Sequence, residues 1–378
     1  MLHGIIVYAI HNYEEMKMVW TLLAVSIVAL VSFPLGVLLH RRLRQQRIAA
    51  NLQIRGAHGI VEDGFREIGG IEQWIGIRGE DERNPVLLLI HGGPGSSCSI
   101  FTPVIRSWEN AFTVVQWDQR GSGKTLGKTG QSGTGELTMD RLVQDGIEVA
   151  EFVRTRLRKD KIVLMACSLG STFGLTMIRR RPDLFSAYVG TDQNVGMARD
   201  REKNHKALVD RLRANGLKKG VAALEKLGSD PSRWTAKEFT ATAKWTMKSD
   251  PRFYERTMQL LKTSIWFCPD YKLRDIGHFV SGMHFSLDQL ISEVRIYDAW
   301  QDGIQFEVPF FVFQGADDVL TPPELARAYC DDVLAPVKGM TLIQDAGHFA
   351  AFTQPEQFLN ELMTRVRPLA MEPQVLAG

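Results

Sequence analysis

The chain has 378 residues, of which 44% are hydrophobic and 23% are charged, so it can form a globular protein with a sizeable core. Its 45 basic and 43 acidic residues nearly balance, which argues against nucleic acid as a partner. The cysteines are widely spaced and form no C-x-x-C pair, so we expect reduced thiols, no disulfide framework and no metal site.

An apolar segment near the N-terminus is the first element of the chain. Residues 18–39 carry no charge and are long enough to cross a bilayer as a helix, in which Pro34 is tolerated. Basic residues follow in the sequence HRRLRQQR, which by the positive-inside rule places the rest of the chain in the cytoplasm. A cleaved signal peptide fits less well, because the positive charge lies on the wrong side. A buried core helix is the other alternative.

We therefore expect a single-pass membrane protein whose segment 18–39 contacts lipid. A short tail at residues 1–17 precedes this anchor, and a basic helical linker at residues 40–56 follows it.

Strand-like and helix-like segments alternate after the linker. The sequence GIVEDGFREIGGIEQWIGIRG predicts strands with turns at Gly64 and at Gly69–Gly70. Apolar runs with β-branched residues then predict strands at Val86–Ile90, Phe112–Trp117, Ile162–Ala166, Ala187–Val189, Phe310–Phe313 and Met340–Ile343. Helical patterns lie between several of them. This order predicts an α/β fold with a mostly parallel twisted sheet flanked by helices.

The alternation stops between residues 194 and 305, where the sequence is helix-like and rich in Lys and Arg. We interpret this stretch as a helical insertion between two strands. It divides the sheet-forming part of the chain into residues 57–193 and 306–370. Residues 371–378 have the composition of a loose tail.

A candidate nucleophile lies in the sequence VLMACSLGSTFGL. Ser168 stands between a predicted strand and a helix predicted over residues 169–180, which is the context of the nucleophile elbow G-x-S-x-G. Ala166 replaces the first glycine, but the turn requires only a small residue there, and Gly170 supplies the second glycine. Taken alone, a serine at a helix start is also a common N-cap.

Three further motifs follow predicted strands. The sequence HGGPG, residues 91–95, has glycines that leave a main-chain N–H free to approach a ligand oxygen. In GADD, Asp318 is the better candidate for an orienting acid and Asp317 is the alternative, although either could cap the next helix. His348, on a loop after the last strand, is the candidate general base. The order serine, aspartate, histidine is that of α/β-hydrolases.

One motif superficially matches a phosphate-binding loop. The sequence DQRGSGKT, residues 118–125, ends in G-K-T after a strand, but Asp118 stands where that loop requires glycine. The residues after Thr125 read as a flexible loop, whereas a phosphate-binding loop leads into a helix. We therefore expect no nucleotide and no other cofactor.

These motifs together resemble the prolyl iminopeptidase-like branch of the α/β-hydrolases. The resemblance covers residues 60–366 and rests on HGGPG, WDQRGSGKT, CSLGSTFGL, GADDVLTP and DAGHF. It implies the α/β-hydrolase fold with an inserted helical cap. It also implies that Ser168 is the nucleophile, His348 its base and Asp318 the partner of that base.

The resemblance extends to the oxyanion hole and the cap. It implies that the N–H groups of Gly93 and Leu169 bind the oxyanion and that residues 194–305 shape substrate access. Aminopeptidases of this branch usually have Trp where this chain has Leu169, and they use cap carboxylates to hold the free amine of the substrate. The acidic residues available for that role are Glu202, Asp210 and Glu225, which a solvated helix surface explains equally well.

We expect a membrane-anchored serine hydrolase that acts through an acyl-enzyme on a small molecule or a short peptide. The leading hypothesis is a proline iminopeptidase-like aminopeptidase. The alternative is a hydrolase of lipophilic carboxylic esters or lactones, which suits the anchor. A more remote alternative is a non-catalytic, membrane-tethered binding protein that keeps the fold.

Overall fold

A computed structural model of the chain describes residues 2–196 and 201–371. These residues form two units that divide after Asn51. The first unit is a single helix, α1 (Leu2–Asn51), which contains Pro34. From Met16 onward, α1 is long and apolar enough to span a bilayer by length and composition. The helix therefore includes the predicted anchor and continues through most of the predicted linker.

The second unit is built around an eight-stranded sheet. Its strands are β1 (Ile60–Ile68), β2 (Ile71–Gly79), β3 (Val86–Ile90), β4 (Thr113–Asp118), β5 (Ile162–Cys167), β6 (Phe185–Thr191), β7 (Phe310–Gly315) and β8 (Lys338–Ile343). They lie in the order β1-β2-β4-β3-β5-β6-β7-β8. The pairs β1–β2 and β2–β4 are antiparallel, and all the others are parallel. The predicted mostly parallel sheet is confirmed.

Both faces of the central strands are buried, which explains their unbroken apolar runs. In β3, Leu88 and Ile90 belong to one core cluster, whereas Leu87 and Leu89 belong to another. Since successive side chains of a strand point to opposite faces, the two clusters lie on opposite sides of the sheet.

Helices cover the sheet and fill the interval between β6 and β7. The helices before that interval are α2 (Gly123–Thr129), α3 (Met139–Arg156) and α4 (Gly170–Arg180). Those within it are α5 (Arg201–Ala214), α6 (Lys218–Leu227), α7 (Ala236–Lys248), α8 (Pro251–Phe267), α9 (Leu273–Val294) and α10 (Ala299–Asp302). Those after it are α11 (Pro323–Asp332), α12 (Ala350–Thr353), α13 (Pro355–Glu361) and α14 (Arg367–Met371). The predicted tail at residues 371–378 lies outside the described residues, except for Met371.

Two local predictions are wrong. No turn forms at Gly64, because β1 runs through it and pairs it with Ile75 of β2. The turn lies only at Gly69–Gly70, where both residues have positive φ. The flexible loop predicted directly after Thr125 begins only at Gly130, because residues 126–129 form the second half of α2. This helix forms because the carboxylate of Asp118 accepts a hydrogen bond from the Lys124 N–H at 2.7 Å, which satisfies a free donor of its first turn.

The parallel topology brings the carboxyl ends of six strands to one edge of the sheet. The segments that follow β3, β4, β5, β6, β7 and β8 all begin there. This is the edge at which ligand sites of open parallel sheets form, and it is where the predicted motifs meet.

Candidate active site

Ser168 occupies a sharp turn between β5 and α4. Its φ is 52°, in the left-handed region, which costs a non-glycine residue about 1 kcal/mol. The Ser168 N–H donates to the Thr191 carbonyl at 2.9 Å, and the Ser168 carbonyl accepts from the Ser171 N–H at 2.9 Å. These bonds fix the strained turn, so the partly exposed side chain projects from the edge of the sheet.

Close backbone approaches surround this turn. A Cβ on Gly170 would lie 2.5 Å from the His91 carbonyl oxygen, so only glycine fits there. A Cβ on Gly174 would lie 2.8 Å from the Cβ of Ala166. The methyl group of Ala166 therefore fits in place of the elbow's first glycine because α4 presents a glycine opposite it.

The three residues predicted to act together are joined by hydrogen bonds. His348 Nε2 lies 3.0 Å from Ser168 Oγ, and His348 Nδ1 lies 2.9 Å from Asp318 Oδ2. His348 and Asp318 are buried, whereas Ser168 is partly exposed. The imidazole is therefore held between the serine hydroxyl and the carboxylate, in an arrangement that can move a proton from the serine.

The loop after β7 fixes the orientation of Asp318. Its Oδ1 accepts from the N–H groups of Leu320 and Thr321 at 2.8 and 3.1 Å, and its Oδ2 accepts from the Thr321 hydroxyl at 2.7 Å. The alternative acid, Asp317, is exposed and forms none of these contacts. Geometry therefore favours Asp318 over Asp317 as the partner of His348.

Charge dominates the environment of His348. Burial alone would lower the pKa of the imidazole, but the negative charges of Asp318 and Asp192 outweigh it and raise the pKa to about 9. A base must be neutral to accept a proton. We therefore expect reactivity of Ser168 to rise with pH as His348 loses its proton.

The two N–H groups assigned to the oxyanion hole lie on neighbouring segments. A Cβ on Gly92 would lie 3.0 Å from the Leu169 nitrogen, so the residue before Gly93 touches the turn after Ser168. Among the described residues, neither the Gly93 N–H nor the Leu169 N–H donates a hydrogen bond. Neither donor is therefore occupied by an acceptor in the described part of the protein.

The HGGPG and DQRGSG motifs hold each other in place. His91 Nε2 accepts from the Gln119 N–H at 3.1 Å and lies 3.1 Å from Ser122 Oγ. The Gln119 side chain donates back to the His91 carbonyl at 2.9 Å. Complete burial lowers the pKa of His91 to about 4, so this imidazole is neutral and structural.

Helices from the interval between β6 and β7 lie over the site. A Cβ on Gly95 would lie 2.4 Å from the Gly282 carbonyl oxygen of α9, and a Cβ on Gly347 would lie 3.0 Å from the Phe253 side chain of α8. The Phe349 ring stands edge-on to His348 at 5.0 Å. The imidazole therefore has an apolar neighbour on one side.

The acidic residues considered for binding a substrate amine have other partners. Asp210 accepts from Lys206 and Arg213, and Glu225 accepts from Arg213, in ion pairs on the exposed surface of α5 and α6. Glu202 is exposed in the first turn of α5. In the described part of the chain, no hydrogen bond links these carboxylates to Ser168 or His348.

Sequence reasoning missed Asp192, which follows β6. It is fully buried, and one carboxylate oxygen lies within 4.8 Å of atoms of both Asp318 and His348. Burial raises the pKa of Asp192 to about 6. Its position just after a buried strand, at the edge where the other candidates gather, was the available signal.

Comparisons with known proteins agree with this fold. Residues 85–355 match the profile of a family described as alpha/beta hydrolase fold. A relative from Bacillus subtilis, the "Probable aminopeptidase YbaC", is 27% identical over 310 residues, which cover 79% of this chain and 94% of that protein.

Solved structures share the fold. The proline iminopeptidase of Mycobacterium smegmatis matches with a TM-score of 0.57 and 17% identity, over 82% of this chain and 99% of that one. The carboxylesterase CesB of Bacillus subtilis matches with a TM-score of 0.53 and 16% identity, over 87% and 97%. Aminopeptidases and esterases are thus both among the proteins with this architecture.

We predict that Gly92→Ala lowers the hydrolytic rate about 100-fold. The added Cβ would lie 2.6 Å from the Cys167 carbonyl oxygen and 2.9 Å from the Ser168 Cβ, so the elbow must shift. Gly277→Ala, on the exposed surface of α9 where a Cβ meets nothing within 4 Å, is the matched control. Initial rates and thermal denaturation of both variants test this. A Gly92→Ala protein as active as the control would contradict the packing argument.

Proposed function

Since the chain belongs to the α/β-hydrolase family, we propose that it is a serine hydrolase that uses Ser168, His348 and Asp318. The observation that carries this proposal is the unbroken line of hydrogen bonds, 3.0 Å from serine to imidazole and 2.9 Å from imidazole to carboxylate. Each of these residues follows a different strand, so the sheet itself sets their spacing.

In the proposed reaction, Ser168 Oγ attacks the carbonyl carbon of the substrate while His348 Nε2 takes the hydroxyl proton. The N–H groups of Gly93 and Leu169 stabilise the negative oxygen of the tetrahedral intermediate, and Asp318 stabilises the imidazolium. The intermediate collapses to an acyl-enzyme, and His348 gives its proton to the leaving amine or alcohol. A water molecule then attacks the acyl carbon while His348 takes its proton, the ester bond to Ser168 breaks, and His348 returns the proton to Ser168 Oγ as the acid is released.

The leading candidate for the substrate class is a short peptide with a free N-terminus, and proline at that terminus is the first residue to test. Similarity to the probable aminopeptidase of Bacillus subtilis over most of both chains supports this class. The resemblance of this chain to prolyl iminopeptidases in the HGGPG and DQRGSG motifs also supports a peptide substrate.

The second candidate is a lipophilic carboxylic ester or lactone. The observation that favours it is a pair of aromatic residues on one side of His348, where Phe349 contacts the imidazole and Phe101 lies 6.0 Å from Phe349. Aromatic side chains of this kind suit an acyl chain better than a charged amine. The surface ion pairs of Asp210 and Glu225 point the same way.

We predict that a panel of proline arylamide and short acyl esters separates the candidates. The wild type should cleave at least one class, and Ser168→Ala should lose at least about 1,000-fold in kcat, because no other group replaces the nucleophile. Asp318→Asn should lower the rate strongly. Asp317→Asn, at the exposed neighbouring position, is the control and should keep the wild-type rate. Ester turnover without arylamide cleavage would exclude the peptidase assignment.

We also propose that residues 18–39 anchor the enzyme in a membrane with its sheet-containing unit in the cytoplasm. The apolar length of α1 supports insertion, and the basic residues that follow the segment support this orientation. An anchor would keep the enzyme near lipophilic substrates.

We predict that the full chain sediments with membranes and resists extraction at alkaline pH. Replacing Val28 and Leu30 together with arginine should release it, since each charge near the centre of the span costs about 3 kcal/mol. Leu43→Arg, in the basic stretch beyond the apolar segment, is the control and should stay membrane-bound. Sedimentation after carbonate treatment measures both variants, and equal retention of all three proteins would argue against a spanning helix.

A further inference from the structure

Asp192 is a buried ionisable residue that the proposed reaction does not use. It follows β6 directly, between the turn that carries Ser168 and the loop that carries His348. Its side chain has no exposure to solvent. An ionisable carboxylate in such a position requires hydrogen bonds or a nearby cation to be tolerated.

The loop that carries His348 supplies these hydrogen bonds. Asp192 Oδ2 accepts from the Phe349 N–H at 3.1 Å, and Oδ1 accepts from the Ala350 N–H at 3.3 Å. Both donors directly follow His348 in the chain. The carboxylate therefore holds the backbone that determines where the imidazole sits.

The held backbone is strained. Phe349 has φ 69°, a left-handed conformation that a bulky side chain rarely adopts, and Asp192 itself has φ 49°. Two unfavourable conformations joined by a hydrogen bond persist only when the surrounding structure favours them. This arrangement turns the chain sharply after His348 and directs its ring toward Ser168.

The same carboxylate acts on the imidazole through space. The charged and titratable groups that face this cluster are Asp318 after β7, His348 after β8, Asp192 after β6 and the Cys167 thiol at the end of β5. From α8, Arg252 and Arg256 reach the loop that carries His348, where both pair with the exposed Asp345. In a buried site, a second negative charge close to His348 favours its protonated form.

We propose that Asp192 is a positioning residue that holds the His348 loop in its strained turn and, as a second carboxylate beside Asp318, stabilises the imidazolium formed during the reaction. This inference deepens the proposed function and rests on it. Asp192 needs no contact with the substrate, since it acts through His348.

The pH dependence of kcat/KM tests the inference in the full-length enzyme, with whichever ester or arylamide the wild type cleaves. Asp192→Asn keeps an acceptor for one N–H but removes the charge. We expect kcat/KM to fall 10- to 100-fold. We also expect the ascending limb of the curve of kcat/KM against pH to move to lower pH by about one unit. The curve moves toward lower pH because removing the negative charge of Asp192 lowers the pKa of His348.

Two further variants make the result decisive. Asp192→Gly suits the positive φ of this position and so avoids loss of folding, and it should lower kcat/KM at least as much as Asp192→Asn. Asp345→Asn, another left-handed aspartate on the His348 loop but an exposed one, should leave the position of the limb unchanged.

The outcomes separate this inference from the proposed function. A folded Asp192→Asn enzyme with the wild-type profile overturns the inference, and so does a uniform loss with no shift of the limb. If Ser168→Ala retains full activity, the proposed function itself fails. An inactive Ser168→Ala beside an unaltered Asp192→Asn would reject only the role of Asp192.

Discussion

The close backbone contact between the HGGPG loop and the turn after β5 is the constraint on which the site depends. Gly92 touches the Cys167 carbonyl, the Ser168 Cβ and the Leu169 nitrogen, and Gly170 touches the His91 carbonyl. Side chains at either glycine would separate the two segments. The proposed oxyanion hole, made of the Gly93 and Leu169 N–H groups, depends on this close approach. The mutual hydrogen bonds of His91 and Gln119 fix the loop in that position.

His91 and His348 differ in pKa because their surroundings differ, and the difference indicates which of them can act as a base. Both are buried at the same edge of the sheet. His91 has only neutral partners, so burial lowers its pKa to about 4, and it serves as a fixed hydrogen-bonding group. His348 faces Asp318 and Asp192, whose charges overcome burial and raise its pKa to about 9. The proposed base is thus the histidine that carboxylates surround, in keeping with the clustering of shifted pKa values at functional sites.

Much of the fold and of the candidate site could be predicted from the sequence. Unbroken apolar runs such as Val86–Ile90 indicated buried parallel strands, and the structure has β3 at those residues. Ser168, Asp318 and His348 were identifiable because each follows a predicted strand in a known order. Topology then brings those strand ends to one edge, and the side chains meet there. Their catalytic roles remain predictions.

Other features depended on specific contacts that residue patterns do not reveal. Asp192 was missed because its partners, the Phe349 and Ala350 N–H groups, follow the inserted helices in the sequence, more than 150 residues later. The loop after Thr125 was placed four residues too early, because the glycines of α2 obscure the hydrogen bond that Asp118 accepts from the Lys124 N–H. The tolerance of Ala166 could not be judged either, since it depends on Gly174 lying opposite it. Local propensity describes none of these contacts.

The central claim is that Ser168 is a nucleophile activated by His348. The most direct measurement is the intact mass of the full-length protein after reaction with a fluorophosphonate, followed by mapping of the modified peptide. We predict one adduct per chain, on Ser168, formed faster as the pH rises and absent from Ser168→Ala. An unmodified wild-type protein, or an adduct that persists in Ser168→Ala, would contradict the account and favour a non-catalytic binding protein.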